Sequence, residues 1–290
     1  MEKNGMTEGA LVLEGGSLRC LFTSGVLDVF MEQGLRFSYV NGVSAGSMCG
    51  MSYVSGQIGR TRDINLNYVH DKRYISLGNM FRKRALFDFD FIFGELSDDL
   101  VPFDKEAFEA SGQRFLATAT RCRTGKPEYF EKGVCSDMMA AVSASCSLPI
   151  VSHMITVEGK KYLDGGLSMP IPYKKAMEDG YEKVVLVLTR HHGYRKGPMK
   201  DVKRKIYEKY LGPLPELLEA VKEIPDRYNR MQEEIDELEA AGKLFVIRPP
   251  VPVTVSRFER DRGKLMALYE EGRQTAVDML PKLTAYLNHS

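Results

Sequence analysis

Residues 10–54 contain two apolar runs, each followed by a segment with helical spacing. The run at 10–14 (ALVLE) predicts a buried strand, and apolar positions 18, 22, 26 and 30 predict a helix over 18–33. A second strand is predicted at 37–41 and a helix of small residues at 45–54. Two strand–turn–helix units in succession predict an α/β fold whose functional sites lie at the carboxyl ends of strands.

The middle of the chain continues this alternation. Strands are predicted at 114–121, 128–131, 161–163 and 183–189, and helices at 137–145 and 172–179. The segment 86–93 (LFDFDFIF) alternates aromatic and other side chains. This pattern favours core packing, as in an edge strand with one buried aromatic face; an acyl groove or a movable lid is the alternative.

Charge divides the C-terminal part of the chain. Residues 195–209 include seven basic and two acidic side chains, whereas 216–239 include nine acidic and three basic ones. Both segments are predicted to be helical, and a strand at 245–247 and a helix at 260–287 follow. Because no repeat or low-complexity linker interrupts the chain, we expect one domain over 8–290. Its core spans about 8–190, and a helical C-terminal portion spans about 195–290.

Composition narrows the class of protein. The chain has 290 residues, 43% of them hydrophobic, and its 40 basic and 39 acidic residues give a net charge of +1, which offers no case for nucleic-acid binding. Residues 1–9 are polar, unlike a signal peptide, and no apolar run reaches the roughly 18–20 residues that cross a bilayer. The five cysteines form no C-x-x-C pair and indicate reduced thiols. We therefore expect a cytoplasmic protein, and the sequence leaves its oligomeric state open.

A G-x-S-x-G sequence at 42–46 lies directly after the strand predicted at 37–41. Its glycines allow a tight bend between strand and helix, which raises the Ser44 hydroxyl above the sheet. The free N–H groups and the dipole of the next helix favour developing negative charge there. Ser44 is therefore the candidate nucleophile, with Gly42 and Gly46 as the glycines of the elbow.

A serine nucleophile needs a base for its proton and hydrogen-bond donors for the oxyanion. Asp164 is the strongest base candidate, because it follows a short predicted strand and precedes a Gly-Gly pair that lets other backbone come close. Gly15, Gly16 and Ser17 lie between a strand and a helix N-terminus, where consecutive N–H groups can converge on an anion. The loop lacks the patterns G-x-x-x-x-G-K-[ST] and G-x-G-x-x-G, so a nucleotide site is weakly supported.

Three motifs thus follow one another: strand–Gly-Gly–helix, strand–G-x-S-x-G–helix and a late D-G-G. Their order and spacing resemble the patatin-like phospholipase family, whose pattern has a loop close to G-G-G-x-[KR]-G, a G-x-S-x-G serine and a D-G-[GA] aspartate. The matching segments here are 15–20 (GGSLRC), 42–46 (GVSAG) and 164–166 (DGG). The resemblance covers about residues 8–190.

The resemblance implies a three-layer α/β/α fold and a Ser–Asp dyad that hydrolyses acyl esters of lipids without a cofactor or a metal. The residues that it implies are Ser44 as nucleophile, Asp164 as base, and Gly15, Gly16 and Ser17 as the oxyanion hole with Arg19 beside it. Ser17 and Cys20 depart from the family pattern, since each replaces a glycine. If position 17 requires a positive φ, serine there costs about 1–2 kcal/mol. That strain is either absorbed or reshapes the oxyanion hole.

Two other functions compete with this one. An α/β-hydrolase triad would use Ser44, Asp164 and either His191 or His192, in the right chain order, although that family usually places several strands before its elbow. The other alternative is a non-catalytic lipid- or partner-binding protein on the same fold. The altered Gly loop favours this alternative. The remaining histidines, at 70, 153 and 289, show no metal-ligand spacing.

The basic run 195–209 also suggests peripheral contact with anionic lipid headgroups. The alternative is a solvent-exposed helix face paired with the acidic helix after it. The expected partners are therefore a lipid ester substrate and a membrane surface through 195–209, but no nucleic acid.

Overall fold

A nine-stranded sheet forms the centre of the computed structural model, which describes residues 2–3, 5–76 and 86–288. The strands are β1 (Glu2–Lys3), β2 (Met6–Leu13), β3 (Phe37–Val43), β4 (Arg114–Arg121), β5 (Pro127–Glu131), β6 (Ile155–Val157), β7 (Lys160–Asp164), β8 (Val184–Val187) and β9 (Leu244–Ile247). Hydrogen-bonded neighbours follow the path β6-β7-β4-β3-β2-β8-β9, and β1 also pairs with β2. Strand β5 pairs with the edge of β4 opposite to the edge that β7 and β3 share. The neighbours from β4 to β9 along this order run parallel, whereas β1, β5, β6 and β7 pair antiparallel.

Helices cover both faces of the sheet. They are α1 (Cys20–Glu32), α2 (Ala45–Val54), α3 (Arg60–Tyr68), α4 (Phe89–Phe93), α5 (Lys105–Ala110), α6 (Met138–Cys146), α7 (Tyr173–Glu178), α8 (Asp201–Leu211), α9 (Pro215–Lys222), α10 (Ile224–Ala240) and α11 (Arg262–Asn288). The predicted α/β fold is confirmed, and the helix predicted at 45–54 has those bounds.

The central strands are apolar on both faces, as expected for parallel strands covered by helices on each side. Along β2, Leu11 and Leu13 belong to one core cluster, and Ala10 and Val12 belong to the other. The first cluster includes buried residues of α1, α2, α6 and α11, and the second includes buried residues of α7 and α10. Alternation along single strands thus divides the interior into two cores and produces the three-layer arrangement.

The C-terminal portion is joined to this sheet. Strand β9 pairs in parallel with β8, and α11 packs along α1. Between these two helices, the buried Tyr269 hydroxyl donates to Asp28 Oδ2 over 2.7 Å, and Arg273 forms an ion pair with Glu32 at 2.9 Å. These contacts hold the loop between β9 and α11 beside the carboxyl end of β2.

Two local expectations need correction. The segment 86–93 does pack in the core, where Phe91 and Ile92 are buried, but the prediction of an edge strand is wrong. Residues Phe89–Phe93 form the short helix α4, because the Asp88 side chain accepts from the Phe91 N–H and caps a helix instead of extending a strand. The basic segment becomes helical only at Asp201, after a Gly-Pro pair at 197–198 that disfavours a helix.

Candidate active site

The strand that leads to Ser44 and the strand that ends at Asp164 meet head to head. On β4, the neighbouring residues Thr118 and Ala119 pair with Val43 of β3 and Asp164 of β7 respectively. Strand β5 also pairs with Thr118 and Ala119. Because a strand has only two edges, β5 occupies one edge of β4, and β3 and β7 share the other. Because β3 runs parallel to β4 and β7 runs antiparallel to it, their carboxyl ends converge. Ser44 and Asp164 are therefore brought together.

Ser44 has a backbone conformation that an L-residue rarely adopts. Its φ is 55° and its ψ is −132°, at the junction between β3 and α2. Such a conformation costs about 1–3 kcal/mol and persists only where the surroundings enforce it. Here the Ser44 N–H donates to Ser145 Oγ over 2.8 Å, and the Ser145 hydroxyl donates to the Thr118 carbonyl over 2.6 Å. The Ser47 hydroxyl donates to the Ser44 carbonyl over 2.6 Å and closes the turn.

The elbow glycines are required by close backbone contacts. A Cβ atom on Gly42 would lie 2.5 Å from the Ser47 Cα, and one on Gly46 would lie 2.6 Å from the Leu13 carbonyl oxygen. Real Cβ atoms do not approach other atoms this closely, so larger residues would displace α2 or the end of β2. The two glycines therefore allow α2 to begin directly against β2, which is the geometry that the G-x-S-x-G pattern predicts.

Asp164 is a buried carboxylate with one satisfied oxygen. It is 4% exposed, and its Oδ1 accepts from the Gly166 N–H over 2.7 Å. Its Oδ2 is buried and meets no donor at ordinary hydrogen-bond distance among the described residues. Burial raises the pKa of Asp164 above its usual value, and the Ser44 side chain, the Gly166 N–H and the charges of Arg257 and Lys196 oppose this rise. A buried carboxylate with a raised pKa and a free oxygen near a hydroxyl is suited to accept that hydroxyl's proton.

The predicted oxyanion loop lies against the elbow. A Cβ atom on Gly15 would be 2.9 Å from the Ser44 Cβ, so the two backbones are in close contact. Within 5–76 and 86–288, the N–H groups of Gly15, Gly16 and Ser17 donate no hydrogen bond to another residue. Donors that are fixed beside a nucleophile and have no acceptor of their own are what an oxyanion hole requires.

Ser17 adopts the positive φ that its glycine-like position predicts, with a value of 51°. Its hydroxyl donates to the Arg257 carbonyl over 2.7 Å. The serine therefore joins the Gly loop to the segment between β9 and α11, a contact that glycine could not make. This hydrogen bond offsets part of the strain of about 1–2 kcal/mol.

Arg19 is buried beside the loop. It is 6% exposed, and its Nε finds no acceptor in the part of the chain that the structure describes. Burial lowers the pKa of Arg19, the neighbouring charges of Arg190 and Arg257 lower it further, and Glu14 opposes this change. A buried cation with a free N–H group lies ready to interact with an anion.

Ser44 lies at the boundary between two cavities. One has a volume of about 400 Å³, contains both Ser44 and Asp164, and is lined by six basic side chains. The other has a volume of about 70 Å³ and is lined mainly by apolar and aromatic side chains, including Met48, Phe89 and Ile92. The aromatic segment 86–93 therefore contributes to the wall of an apolar pocket beside Ser44, in addition to packing in the core.

The two histidines of the alternative triad lie elsewhere. The His191 ring packs against Tyr194, with 5.9 Å between ring centroids, and the 72% exposed His192 side chain lies 3.6 Å from Asp236. Neither histidine lines a cavity that contains Ser44. Within the described ranges, no group of three or more His, Cys, Asp or Glu residues could hold a metal ion. No helix in those ranges is both long and apolar enough to span a membrane.

Sequence reasoning missed several residues of the site. Ser145, which holds the elbow N–H, lies on α6 in a small-residue helix that gives no signal of this contact. Lys196 was included only in a basic run at the surface, whereas it lines the larger cavity together with Arg190 and Arg257. Arg257 lies outside every motif of the sequence, so only the tertiary structure identifies it.

Comparison with known proteins identifies the families and the fold to which the chain is similar. A family model described as patatin-like phospholipase matches residues 11–177, which is more than half of the chain, and a model described as a domain of unknown function matches residues 214–288. An uncharacterized Escherichia coli protein, YjjU, is 29% identical over 251 residues, which cover 84% of this chain and 69% of YjjU. An uncharacterized NTE family protein of Mycobacterium tuberculosis is 24% identical over 210 residues, or 70% of this chain and 54% of that protein. The crystal structure of VipD from Legionella pneumophila superposes with a TM-score of 0.50 at 11% identity, covering 95% of this chain and 67% of VipD.

Proposed function

Because the chain belongs to the patatin-like phospholipase family, we propose that it is a serine hydrolase of lipid acyl esters that works through a dyad of Ser44 and Asp164. The observation that most directly supports this proposal is the head-to-head convergence of β3 and β7, which brings the strained serine to a buried aspartate. The three motifs lie within the segment that matches the family model.

In the proposed reaction, the Ser44 Oγ attacks the carbonyl carbon of the ester while Asp164 Oδ2 takes the hydroxyl proton. The N–H groups of Gly15, Gly16 and Ser17 donate to the oxyanion of the tetrahedral intermediate. Asp164 then gives its proton to the departing alcohol, which leaves an acyl-serine. In the second half, Asp164 takes a proton from water, the resulting hydroxide attacks the acyl carbon, and the carboxylic acid is released as Ser44 regains its proton.

Turnover of a short-chain p-nitrophenyl ester tests the dyad. We expect Ser44→Ala and Asp164→Asn each to abolish turnover while circular dichroism shows a folded protein. His191→Ala and His192→Ala are the matched controls, and they should retain activity because neither side chain lines the cavity. Activity retained by Ser44→Ala or by Asp164→Asn contradicts the proposal, and loss in a histidine variant instead favours the triad.

Covalent labelling separates an enzyme from a binding protein on the same fold. A fluorophosphonate probe should add once to the wild-type protein, and peptide mass spectrometry should locate it on Ser44. Phosphonylation of serine needs an activated hydroxyl and an oxyanion site. A folded wild-type protein that remains unlabelled favours the non-catalytic alternative.

For the basic segment 195–209, we propose peripheral contact with anionic membranes. Helix α8 turns one face to the larger cavity through Lys203 and Tyr207. Its outer face exposes Val202 by 72%, Ile206 by 46% and Tyr210 by 43%, an apolar stripe at i, i+4 and i+8. An apolar stripe flanked by basic residues is typical of a helix that lies in a membrane interface.

Co-sedimentation with vesicles tests this contact. Binding to vesicles that contain phosphatidylglycerol should weaken with added salt and after charge reversal at Lys203, Arg204 and Lys205. A double substitution of Val202 and Ile206 with Glu should also weaken it. Binding that neither salt nor these substitutions change would rule out α8 as the docking surface.

A further inference from the structure

The C-terminal segment 214–288, which matches the domain of unknown function, contacts the loops of the candidate active site. On helix α10, the consecutive residues Arg227, Tyr228 and Asn229 each form hydrogen bonds with a different part of the site. Successive residues of a helix point about 100° apart, so a single turn can reach three neighbours. One turn of α10 therefore connects the C-terminal segment to three loops.

Tyr228 holds the base of the Gly loop. Its buried hydroxyl donates to Glu14 Oε1 over 2.9 Å, and Glu14 directly precedes Gly15. The Glu14 Oε2 accepts from the N–H and the hydroxyl of Thr189, so Tyr228 is the only donor to Oε1 within the described residues. Burial raises the pKa of Tyr228, and the charge of Glu14 raises it further. The hydroxyl therefore stays protonated and remains a donor.

This tyrosine hydroxyl fixes where the Glu14 carboxylate lies. Arg19 and Lys196 interact electrostatically with Glu14, but neither forms an ion pair with it in the ranges that the structure describes. Without the hydroxyl, a buried carboxylate oxygen would lack its donor, and these two charges would draw Glu14 toward them. Because a Cβ atom on Gly15 would lie 2.9 Å from the Ser44 Cβ, a shift of Glu14 moves the Gly loop relative to the nucleophile.

Arg227 holds the turn after Asp164. Its Nη1 donates to the Leu167 carbonyl over 2.7 Å, and Leu167 ends the short 3₁₀ turn that directly follows the aspartate. The same Nη1 donates to the Ala220 carbonyl over 3.0 Å, and Nη2 donates to Glu223 Oε2 over 2.9 Å. Contacts inside the C-terminal segment thus fix the guanidinium that holds the turn.

The middle of this turn supports the candidate base. At its start, the Thr120 hydroxyl donates to the Asp164 carbonyl over 2.8 Å, and at its end Arg227 binds the last carbonyl. Between these two contacts, the Gly166 N–H donates to Asp164 Oδ1 over 2.7 Å. The position of this N–H, and with it the orientation of the carboxylate, therefore depends on Arg227.

Two other contacts join the same segment to the site. The Lys196 N–H donates to Asn229 Oδ1 over 2.8 Å, and the Asn229 Nδ2 donates to the Lys196 carbonyl over 3.0 Å. The Ser17 hydroxyl donates to the Arg257 carbonyl over 2.7 Å. The segment 214–288 thus binds the Gly loop, the turn after the aspartate and the irregular segment before α8, although the family model ends at residue 177.

We propose that the segment 214–288 positions the loops of the active site, with Tyr228 and Arg227 as positioning residues. Tyr228 aims the N–H groups of the Gly loop at the oxyanion by holding Glu14. Arg227 orients the Asp164 carboxylate by holding the turn that follows it. This inference rests on the proposed hydrolase function and gives a role to a segment outside the family match.

Removal of one hydroxyl tests Tyr228. Tyr228→Phe keeps the ring, whose centroid lies 3.9 Å from the Lys196 Nζ. With a p-nitrophenyl ester, we expect kcat to fall by about 10- to 100-fold while KM stays within about twofold, because the oxyanion N–H groups act on the transition state. Loss of a whole oxyanion donor costs about 100- to 1,000-fold in kcat, and displacement of the loop should cost less.

Tyr286→Phe is the matched control. Tyr286 lies on α11 in the same segment, and its hydroxyl accepts from the Val184 N–H over 2.9 Å and donates to the Lys243 carbonyl over 3.1 Å. Val184 begins β8, so these contacts lie at the end of the parallel strands opposite to the site. Its kcat should equal that of the wild type even if Tm falls. Equal losses of kcat in both phenylalanine variants, or no loss in Tyr228→Phe, overturn the role of Tyr228.

The pH profile of kcat/KM tests Arg227. Burial raises the pKa of Asp164 and the Gly166 N–H opposes this rise, so a loosened N–H in Arg227→Met should let the pKa rise further. The pH at which kcat/KM falls to half should then increase by about 0.5–1, the equivalent of part of a hydrogen bond. Arg227→Lys can still donate to the same carbonyl and should restore the wild-type profile.

Both Arg227 variants retain the other charged and titratable groups that interact with the carboxylate, which are Arg257, Lys196, Cys146 and Tyr207. A shift of the profile therefore reports on the turn. An unchanged profile in Arg227→Met, or a shift that Arg227→Lys does not reverse, contradicts the role of Arg227. Two positioning residues at different places keep the test decisive if one variant does not fold.

Hydrogen exchange followed by mass spectrometry measures the loops independently of turnover. Both loops contain bonded N–H groups, such as that of Arg19 on the Gly16 carbonyl and that of Met169 on the Gly165 carbonyl. Exchange should quicken over 14–20 in Tyr228→Phe and over 164–169 in Arg227→Met, but in neither range in Tyr286→Phe. Unchanged exchange in both positioning variants overturns the proposal.

Failure of the hydrolase function is a different result. It would appear as a wild-type protein without turnover, or as turnover that persists in Ser44→Ala. The exchange experiment still decides in that case whether the segment 214–288 positions the loops, because it requires no reaction.

Discussion

Strain at the nucleophile can be measured by replacing Ser44 with two residues that both remove the hydroxyl. With φ at 55° and ψ at −132°, alanine at this position keeps the unfavourable backbone conformation, whereas glycine adopts it without a Cβ clash. Relief of the strain should stabilise the glycine variant by about 1–3 kcal/mol. The greater entropy of glycine in the unfolded chain opposes this by about 0.5–1 kcal/mol. Ser44→Gly should therefore be more stable than Ser44→Ala by about 1 kcal/mol, the difference between the midpoints of these two ranges.

Urea unfolding followed by circular dichroism measures this difference, provided that the two variants have equal m-values. Ser38 supplies the control, because it lies on β3, the strand that leads to Ser44, is half-buried and has no positive φ. At that position, glycine should be less stable than alanine by about 0.5–1 kcal/mol. The reasoning is refuted if Ser44→Gly is no more stable than Ser44→Ala, since the folded protein would then impose no strain on the elbow.

Two other predictions concern the groups beside Ser44. Burial raises the pKa of Asp164 in the folded protein, so the charged form destabilises the fold at neutral pH, and Asp164→Asn should raise Tm there. This gain in Tm should shrink as the pH falls through the raised pKa, because the wild-type carboxyl then takes up a proton. The kcat/KM of the wild type should fall over the same pH range, because the protonated carboxyl cannot act as a base. A gain in Tm that does not change between pH 7 and about 4 contradicts a raised pKa at Asp164. Ser17→Ala loses the hydrogen bond to the Arg257 carbonyl and keeps the strain, so it should be less stable than the wild type by about 0.5–1.5 kcal/mol. Ser17→Gly loses the same hydrogen bond but releases about 1–2 kcal/mol of strain, so its stability should be close to that of the wild type. Urea unfolding compares the Ser17 variants, and a glycine variant no more stable than the alanine variant would show that position 17 imposes no strain, because both variants lack the hydroxyl.

Local sequence patterns determined most of the elements that surround the site. The G-x-S-x-G pattern predicted the bend at Ser44 and the helix after it, because only glycine tolerates the contacts at positions 42 and 46. The segment 183–189, which is apolar throughout 184–188, predicted a buried strand, and β8 occupies Val184–Val187. These features depend on steric limits and burial within a few residues, so one segment of sequence contains the information.

Patterns that satisfy two structures equally were less informative. Alternation at 86–93 suggested a strand, but the same segment contains Asp88, which caps a helix, and its aromatic side chains pack in either case. Similarly, the basic composition of 195–209 indicated a helix along its whole length. The structure has an irregular segment before Asp201, and it is this segment that brings Lys196 into the cavity.

Only the tertiary structure decided which distant residues share the site. The motif at 164–166 indicated an aspartate of the right type, but its approach to Ser44 depends on β7 running antiparallel along the same edge of β4 as β3. Arg257 reaches the Gly loop because α11 packs on α1 and the Ser17 hydroxyl binds the intervening loop. No local periodicity encodes these contacts, since they result from the packing of segments far apart in the chain. The sequence by itself therefore determined the elbow and the candidate chemistry, whereas packing determined the charge and the walls of the cavity in which that chemistry would occur.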